Sequence, residues 1–230
     1  MEKKQYKVCI EVLRRLKLFG VLPQMVLIGS WCIPFYKEYL GGNISPIRTR
    51  DLDFLVPTPV KTNKIVDIPD LLKDLGFIQE IGYPQGYMKL IHPELIVEFL
   101  VPERGRGIDR PYQLPQFGVN AQALRFLDLL LQNTIVVEFG GIHIVLPHPA
   151  CFAVHKLVVS LRRANADKSE KDRNVAISIL KILLKKEQKE NVAEAFNGLP
   201  SRWQNKVITL LERLGESEIL EGFGLSTKSE

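Results

Sequence analysis

The sequence predicts an α+β fold that closes with a helical C-terminal subdomain. Short apolar runs alternate with helix-patterned segments through the first two thirds of the chain, whereas everything from Pro149 onward is helix-patterned. Gly or Pro marks several of the junctions between segments. The change falls between Leu146 and Pro149, so the expected domains are 1–147 and 148–230.

Taken in order, Val8 or Cys9, Val12, Leu13 and Leu16 recur at helical spacing, with Lys and Arg on the other side. Gly20 and Pro23 end that helix. Residues 24–28 form a short apolar run suited to a buried strand. Gly29-Ser30 turns the chain into a helix over 31–40, where Pro34 fits because it lies in the first turn. Gly41-Gly42-Asn43 stops this helix, and a second strand covers 51–56. A helix over 67–75 places Ile68, Leu71, Leu72 and Leu75 on one face, with Gly76 as its stop. Strands follow at 77–81, 87–91 and 95–101, then a loop over 102–118 and a leucine-rich helix over 121–131. A hairpin joins 135–139 to 142–146 across Gly140-Gly141. Helices are expected at 149–163, 168–186, 188–196, 201–214 and 216–222, with 226–230 as a frayed tail.

A hydrophobic fraction of 46% with 25% charged residues describes a globular chain rather than a disordered one. The net charge of +5 suits an anionic partner but is spread along the chain, leaving no basic arm. Cys9, Cys32 and Cys151 are scattered, which argues against a disulfide framework or zinc site and for a reducing compartment. With neither a signal-peptide core nor a membrane-length apolar run, the expectation is a soluble, cytoplasmic protein without membrane contact.

Chemistry concentrates in Arg50-Asp51-Leu52-Asp53-Phe54. On a strand, residues i and i+2 share a face, so Asp51 and Asp53 project side by side and invite a divalent cation. Taken alone, such a pair is also a common turn or cap. Gly29-Ser30 adds the context in which backbone amides and a serine hydroxyl hold phosphate, although Ser30 could equally serve as an N-cap. Glu98 is an acid within the apolar strand 95–101, and Glu138 is its rival in 135–139.

Leu27-Ile28-Gly29-Ser30-Trp31 followed by Thr49-Arg50-Asp51-Leu52-Asp53-Phe54 resembles the DNA polymerase β-like nucleotidyltransferase superfamily. The long spacer and the Arg48-Thr49-Arg50 approach resemble the branch of abortive-infection-type nucleotidyltransferase toxins. In that branch one helix carries a Lys-Leu step, basic residues follow, and a basic-Asp pair opens another helix, matching Lys156-Leu157, Arg162-Arg163 and Lys171-Asp172-Arg173. The resemblance implies a nucleotidyltransferase-like mixed sheet with flanking helices. It implies Asp51, Asp53 and Glu98 as metal-binding catalytic carboxylates, and Gly29, Ser30, Lys156 and Asp172 as nucleotide-binding residues. The implied cofactor is Mg²⁺, one or two ions, with Mn²⁺ as a substitute.

Other motifs read more simply. His92, His143, His148 and His155 lack zinc-ligand spacing, and Lys181, Lys185, Lys186 and Lys189 read as a wet helix face. Arg104-Gly105-Arg106-Gly107 with Arg110 is the most cationic loop and reads as solvated. Trp31 reads as a core residue rather than a base-stacking platform.

The expected activity is Mg²⁺-dependent transfer of NMP from a nucleoside triphosphate to an acceptor hydroxyl, with release of pyrophosphate. RNA or tRNA, a protein and a small molecule all remain open as acceptors, and the resemblance admits an antitoxin partner. One alternative is a nucleotide-binding or regulatory protein on the same fold with little catalysis. Another is an unrelated interaction module, in which Asp51 and Asp53 would lie far from Gly29 and Ser30 or Glu98 would point elsewhere.

Overall fold

The computed structural model describes residues 3–41, 44, 49–82, 85–105 and 110–225, apart from the side chain of residue 38. Gly42 and Asn43 of the expected helix stop, Arg48, Arg106-Gly107 and the tail 226–230 lie outside the described residues. The chain divides into two compact units, one formed by 1–35 with 46–146 and the other by 36–45 with 147–230.

The first unit is a mixed sheet with flanking helices, as the fold class predicted. Helix α1 (Lys3–Leu18) buries Cys9, Val12, Leu13 and Leu16, the apolar positions expected from their spacing. Strand β1 (Val26–Ile28) pairs antiparallel with β2 (Asp51–Leu55). Asp67 caps α3 (Ile68–Lys73) by accepting the Asp70 amide, and Arg15 of α1 clasps Asp74 at its end through two hydrogen bonds of 2.9 and 2.8 Å. The antiparallel strands β3 (Ile78–Gly82) and β4 (Tyr87–Ile91) lead into β5 (Ile96–Pro102), which lies parallel to β2. The resulting order is β1-β2-β5-β4-β3.

Two further strands replace what the sequence suggested as loop and helix. β6 (Tyr112–Leu114) lies within the expected loop and pairs with β7 (Val119–Leu124), which runs parallel to the C-terminal half of β5. Only α4 (Leu129–Gln132) remains of the leucine-rich helix expected over 121–131. Ala, Gln, Leu and Arg favour helix locally, but Leu100–Pro102 presents an unpaired edge past the end of β4, and pairing with it outweighs that preference. The Asn120 side chain ties β7 further by accepting the Met88 amide (2.7 Å) and donating to the Gly86 carbonyl (2.9 Å).

Strands β8 (Thr134–Phe139) and β9 (Ile142–Pro147) form a separate two-stranded sheet. Gly140 and Gly141 both have positive φ, as a tight hairpin turn demands.

The second unit is helical, in order α5 (Pro149–Ser160), α6 (Ala166–Lys185), α7 (Lys189–Asn197), α8 (Ser201–Arg213) and α9 (Ser217–Gly222). His148 caps α5, its Nδ1 accepting the Ala150 amide, and Asn165 caps α6 by accepting from Lys168. The last residues of α2 (Cys32–Leu40) belong to this unit, where Tyr36 donates to the Pro147 carbonyl (2.7 Å) and packs edge-on against Phe152. Buried Phe196 and Phe223 stack within this unit, with ring centroids 4.1 Å apart.

Candidate active site

The alternation of β2 and β5 divides the sheet into two chemically different faces. Leu52, Phe54, Val97 and Phe99 are buried on one face, where Phe54 and Phe99 stack as in-register neighbours. The other face carries exposed Asp51 and half-buried Asp53 on β2, and half-buried Glu98 on β5. Two residues further along each strand, that same face turns apolar. Leu55 and Leu100 join Val26, Ile28, Leu127 and Leu130 in a core cluster. The acids therefore stand at the open end of a face whose other end is anchored in the core.

Register places these residues side by side. Ile28 pairs with Asp53 across the antiparallel β1–β2 ladder, and Asp53 pairs with Glu98 across the parallel β2–β5 ladder. Gly29 follows Ile28 directly, with φ +72°. A Cβ on Gly29 would collide with Asp53 Oδ2, so the turn and the carboxylate are in direct contact. Ser30 is half-buried within a single 3-10 turn, Gly29–Trp31, that runs into α2. Ile28 is the N-cap and no side chain caps the turn, so Ser30 is not the N-cap. Trp31 is buried in the core.

Residues at the strand entrances hold this arrangement. Buried Gln5 of α1 donates to the carbonyls of Thr49 (2.7 Å) and Glu94 (3.3 Å), just ahead of β2 and β5. The Thr49 hydroxyl accepts the Asp51 amide (3.1 Å), and Arg50 donates to the His92 carbonyl (2.9 Å). Gln5 was invisible to sequence reasoning because a lone glutamine on a charged helix carries no signal. Lys89 was missed for another reason. It stands opposite Glu98 on β4 and bridges it at 2.7 Å, a relation set wholly by register.

The model of a family described as nucleotidyltransferase matches residues 7–199. The chain belongs to the nucleotidyltransferase family. Its superfamily is the polymerase β-like one, and its class of activity is transfer of a nucleotidyl group. Among solved structures, an antigenic nucleotidyltransferase-like protein from Paracoccidioides brasiliensis shares the fold at TM-score 0.52 and 13% identity, covering 94% of this chain and 92% of that one. The antibiotic-resistance factor ANT(2'')-Ia aligns at TM-score 0.47 and 10% identity, covering 95% and 98%. A Megavirus polyadenylate synthase aligns at 0.38 and 14%, covering 77% of this chain and 32% of that one. No curated protein matches by sequence.

In this nucleotidyltransferase the remaining expected site residues lie apart from the acidic row or in the second unit. Glu138 is exposed on β8, in the separate hairpin sheet. Lys156 and Asp172 meet each other: the Lys156 ammonium bridges Asp172 Oδ1 at 2.6 Å, and Arg163 bridges Oδ2 at 2.5 Å. Both partners of the first bridge are almost fully buried, on α5 and α6. Ser169 donates to the Ser160 carbonyl (2.8 Å) beside them, tying the same two helices. Arg104 donates to the Thr58 carbonyl, and with Arg110, Tyr112 and Gln113 it lines a surface pocket of about 660 Å³.

Asp51 and Asp53 offer hard oxygen donors on an open face, which fits Mg²⁺, an ion that takes few protein ligands and completes its shell with water and phosphate. Among the described residues, no three His, Cys, Asp or Glu side chains converge closely enough to hold an ion. The Glu98 carboxylate is bridged by Lys89 at 2.7 Å. Among the described residues, no helix is long and apolar enough to cross a membrane.

Proposed function

We propose that the chain transfers NMP from a Mg²⁺-bound nucleoside triphosphate to an acceptor hydroxyl. The acceptor oxygen attacks the α-phosphorus, the bond to the β-phosphate oxygen breaks, and pyrophosphate leaves as the hydroxyl gives up its proton. Asp51 and Asp53 would hold the metal, which when bound neutralises phosphate charge and organises the leaving group. Gly29 and Ser30 would hold phosphate oxygens, Gly29 because its bare backbone admits a close approach and Ser30 through its hydroxyl. Glu98, level with Asp53, is the candidate third carboxylate, favoured over Glu138 because only Glu98 shares their sheet. Catalysis then rests on positioning and charge neutralisation.

The observation that carries this reading is the contact between Gly29 and Asp53. It unites the phosphate turn with the acidic strand, an arrangement that an unrelated interaction module would not require. Lys156 and Asp172 enter as a buried pair that ties α5 to α6, and the Lys156 ammonium keeps further donors beyond its bond to Asp172 for a phosphate contact. Kinship with abortive-infection-type transferases rests on the long spacer before Asp51 and on the Lys156-Leu157 and Lys171-Asp172-Arg173 motifs. It would bring an RNA or protein acceptor and an antitoxin partner.

Calorimetry with Mg²⁺ and a non-hydrolysable triphosphate tests the site. The wild type should bind it, and Asp53→Asn should weaken binding at least tenfold. No binding by folded wild type, or equal binding by both proteins, would contradict the reading.

A further inference from the structure

The sequence reads the cationic loop after β5 as solvated, but the structure sets two of its arginines on the wall of a pocket. The β5–β7 ladder continues past Pro102, where the Glu103 amide donates to the Leu124 carbonyl (2.9 Å). This strand end and the turn after β2 bound a pocket of about 660 Å³, lined in part by Thr58, Pro59, Arg104, Arg110, Tyr112 and Gln113. Arg104 is held in place by its bond to the Thr58 carbonyl (2.6 Å), which uses one of the five guanidinium donors. Among the described lining residues the acid is Glu103, and Arg125 already neutralises it at 2.8 Å. Neither Arg104 nor Arg110 is ion-paired among the described residues, so the pocket carries a net positive charge. Tyr112, on the short strand β6, is 44% exposed beside them.

We infer that this pocket is a second nucleotide site, separate from the triphosphate site on the acidic face. Two guanidinium forks match a phosphate group, to which each donates paired hydrogen bonds. The Tyr112 ring offers a surface on which any base stacks. The volume falls within the range of small-ligand sites, roughly 300–1,000 Å³, and so admits one nucleotide unit. Its place on the sheet is also distinct. Asp51 and Asp53 stand on the N-terminal half of β2, whereas the pocket lies past the C-terminal ends of β2 and β5. From Glu98 to Pro102 the strand advances roughly 13 Å. The cations here are side chains, so binding requires no metal. A free nucleotide and a nucleotide within an RNA strand present the same phosphate and base to these groups.

Fluorescence anisotropy in EDTA tests this with two probes, ethenoadenosine monophosphate and a short labelled oligouridylate. The wild type should bind at least one of them, more weakly as salt rises. Arg110→Gln and Tyr112→Ala should each weaken binding about tenfold or more. Tyr112→Phe keeps the ring and should bind as the wild type does. Asp53→Asn should retain the probe, because its carboxylate belongs to the other site. Tighter binding of the oligonucleotide identifies an RNA strand as the ligand, and binding of the monophosphate at least as tight identifies a free nucleotide. Thermal melts confirm that each variant is folded. No binding of either probe, equal binding by wild type and both pocket variants, or binding lost only in Asp53→Asn overturns the proposal. Each of these results leaves the proposed transferase activity to its own test.

Discussion

Asp53 Oδ2 occupies the space that a side chain on Gly29 would need. One residue directly follows β1 and the other lies in the middle of β2, yet neither can change without the other feeling it. The positive φ of Gly29 adds a second demand, because an L side chain there pays roughly 1–2 kcal/mol in backbone strain. Gly29→Ala should therefore lower unfolding stability by about 2 kcal/mol or more and displace Asp53. Urea denaturation beside a transferase assay reads both effects. Unchanged values in both would show that the contact does not matter.

Asp51→Asn and Asp53→Asn should leave the fold intact, since neither carboxylate is buried in the core. Each should reduce transfer about 100-fold or more, on the order of 3 kcal/mol in the barrier. A loss of activity that follows only a loss of stability would instead assign these residues a structural role.

Gln5 bridges the approaches to two strands, so its effect should be indirect. Gln5→Ala leaves two carbonyls short of a donor, at a cost of about 1–3 kcal/mol. Mn²⁺ affinity should fall in the same variant because the entrance of β2 loosens, and Gln5→Glu should not restore it, as a carboxylate cannot donate to either carbonyl.

Lys156 and Asp172 make a buried pair whose disruption should be severe. Lys156→Met alone strands a buried carboxylate with only Arg163, at a cost of about 3–5 kcal/mol. Lys156→Met with Asp172→Leu should recover most of that loss. A double variant no more stable than the single one would show that the pair is not the source. Triphosphate affinity measured on the stable double variant separates this structural role from a phosphate contact.

His148 and His155 should sensitise the second unit to acid. Burial lowers both pKa values, and the Lys156 charge adds to the effect at His155, which is pushed down to about 4. A histidine held neutral in the fold contributes stability above its unfolded pKa near 6.5, and that stability is lost as pH falls toward the folded value. His148 also accepts the Ala150 amide through Nδ1, a bond that protonation abolishes. Denaturation midpoints of the wild type should drop between pH 6.5 and 4, and His148→Asn, which keeps a capping oxygen, should drop less.

How much of this was legible depended on how local the cause was. β2, β4, β5, the Gly140-Gly141 hairpin and the five C-terminal helices follow from periodicity and turn residues lying within each segment. β7 did not, because its strand state comes from an edge on β5 some twenty residues away, which overrides a helix-favouring composition. The Asp51 and Asp53 pair was readable, as spacing alone puts both on one face. Lys89 was not, because the short turn at His92-Pro93 makes β4 and β5 antiparallel without fixing the register that sets Lys89 opposite Glu98.

The central claim is nucleotidyl transfer at the Asp51 and Asp53 face, and labelled triphosphate tests it most directly. Protein is incubated with Mg²⁺, total tRNA and cell extract, and triphosphates labelled at the α- or γ-phosphorus. Label from the α position should appear on an acceptor, γ label should leave as pyrophosphate, and Asp51→Ala/Asp53→Ala protein should transfer neither. Transfer of α label undiminished in that double variant, or transfer of the γ label to the acceptor, would contradict the account.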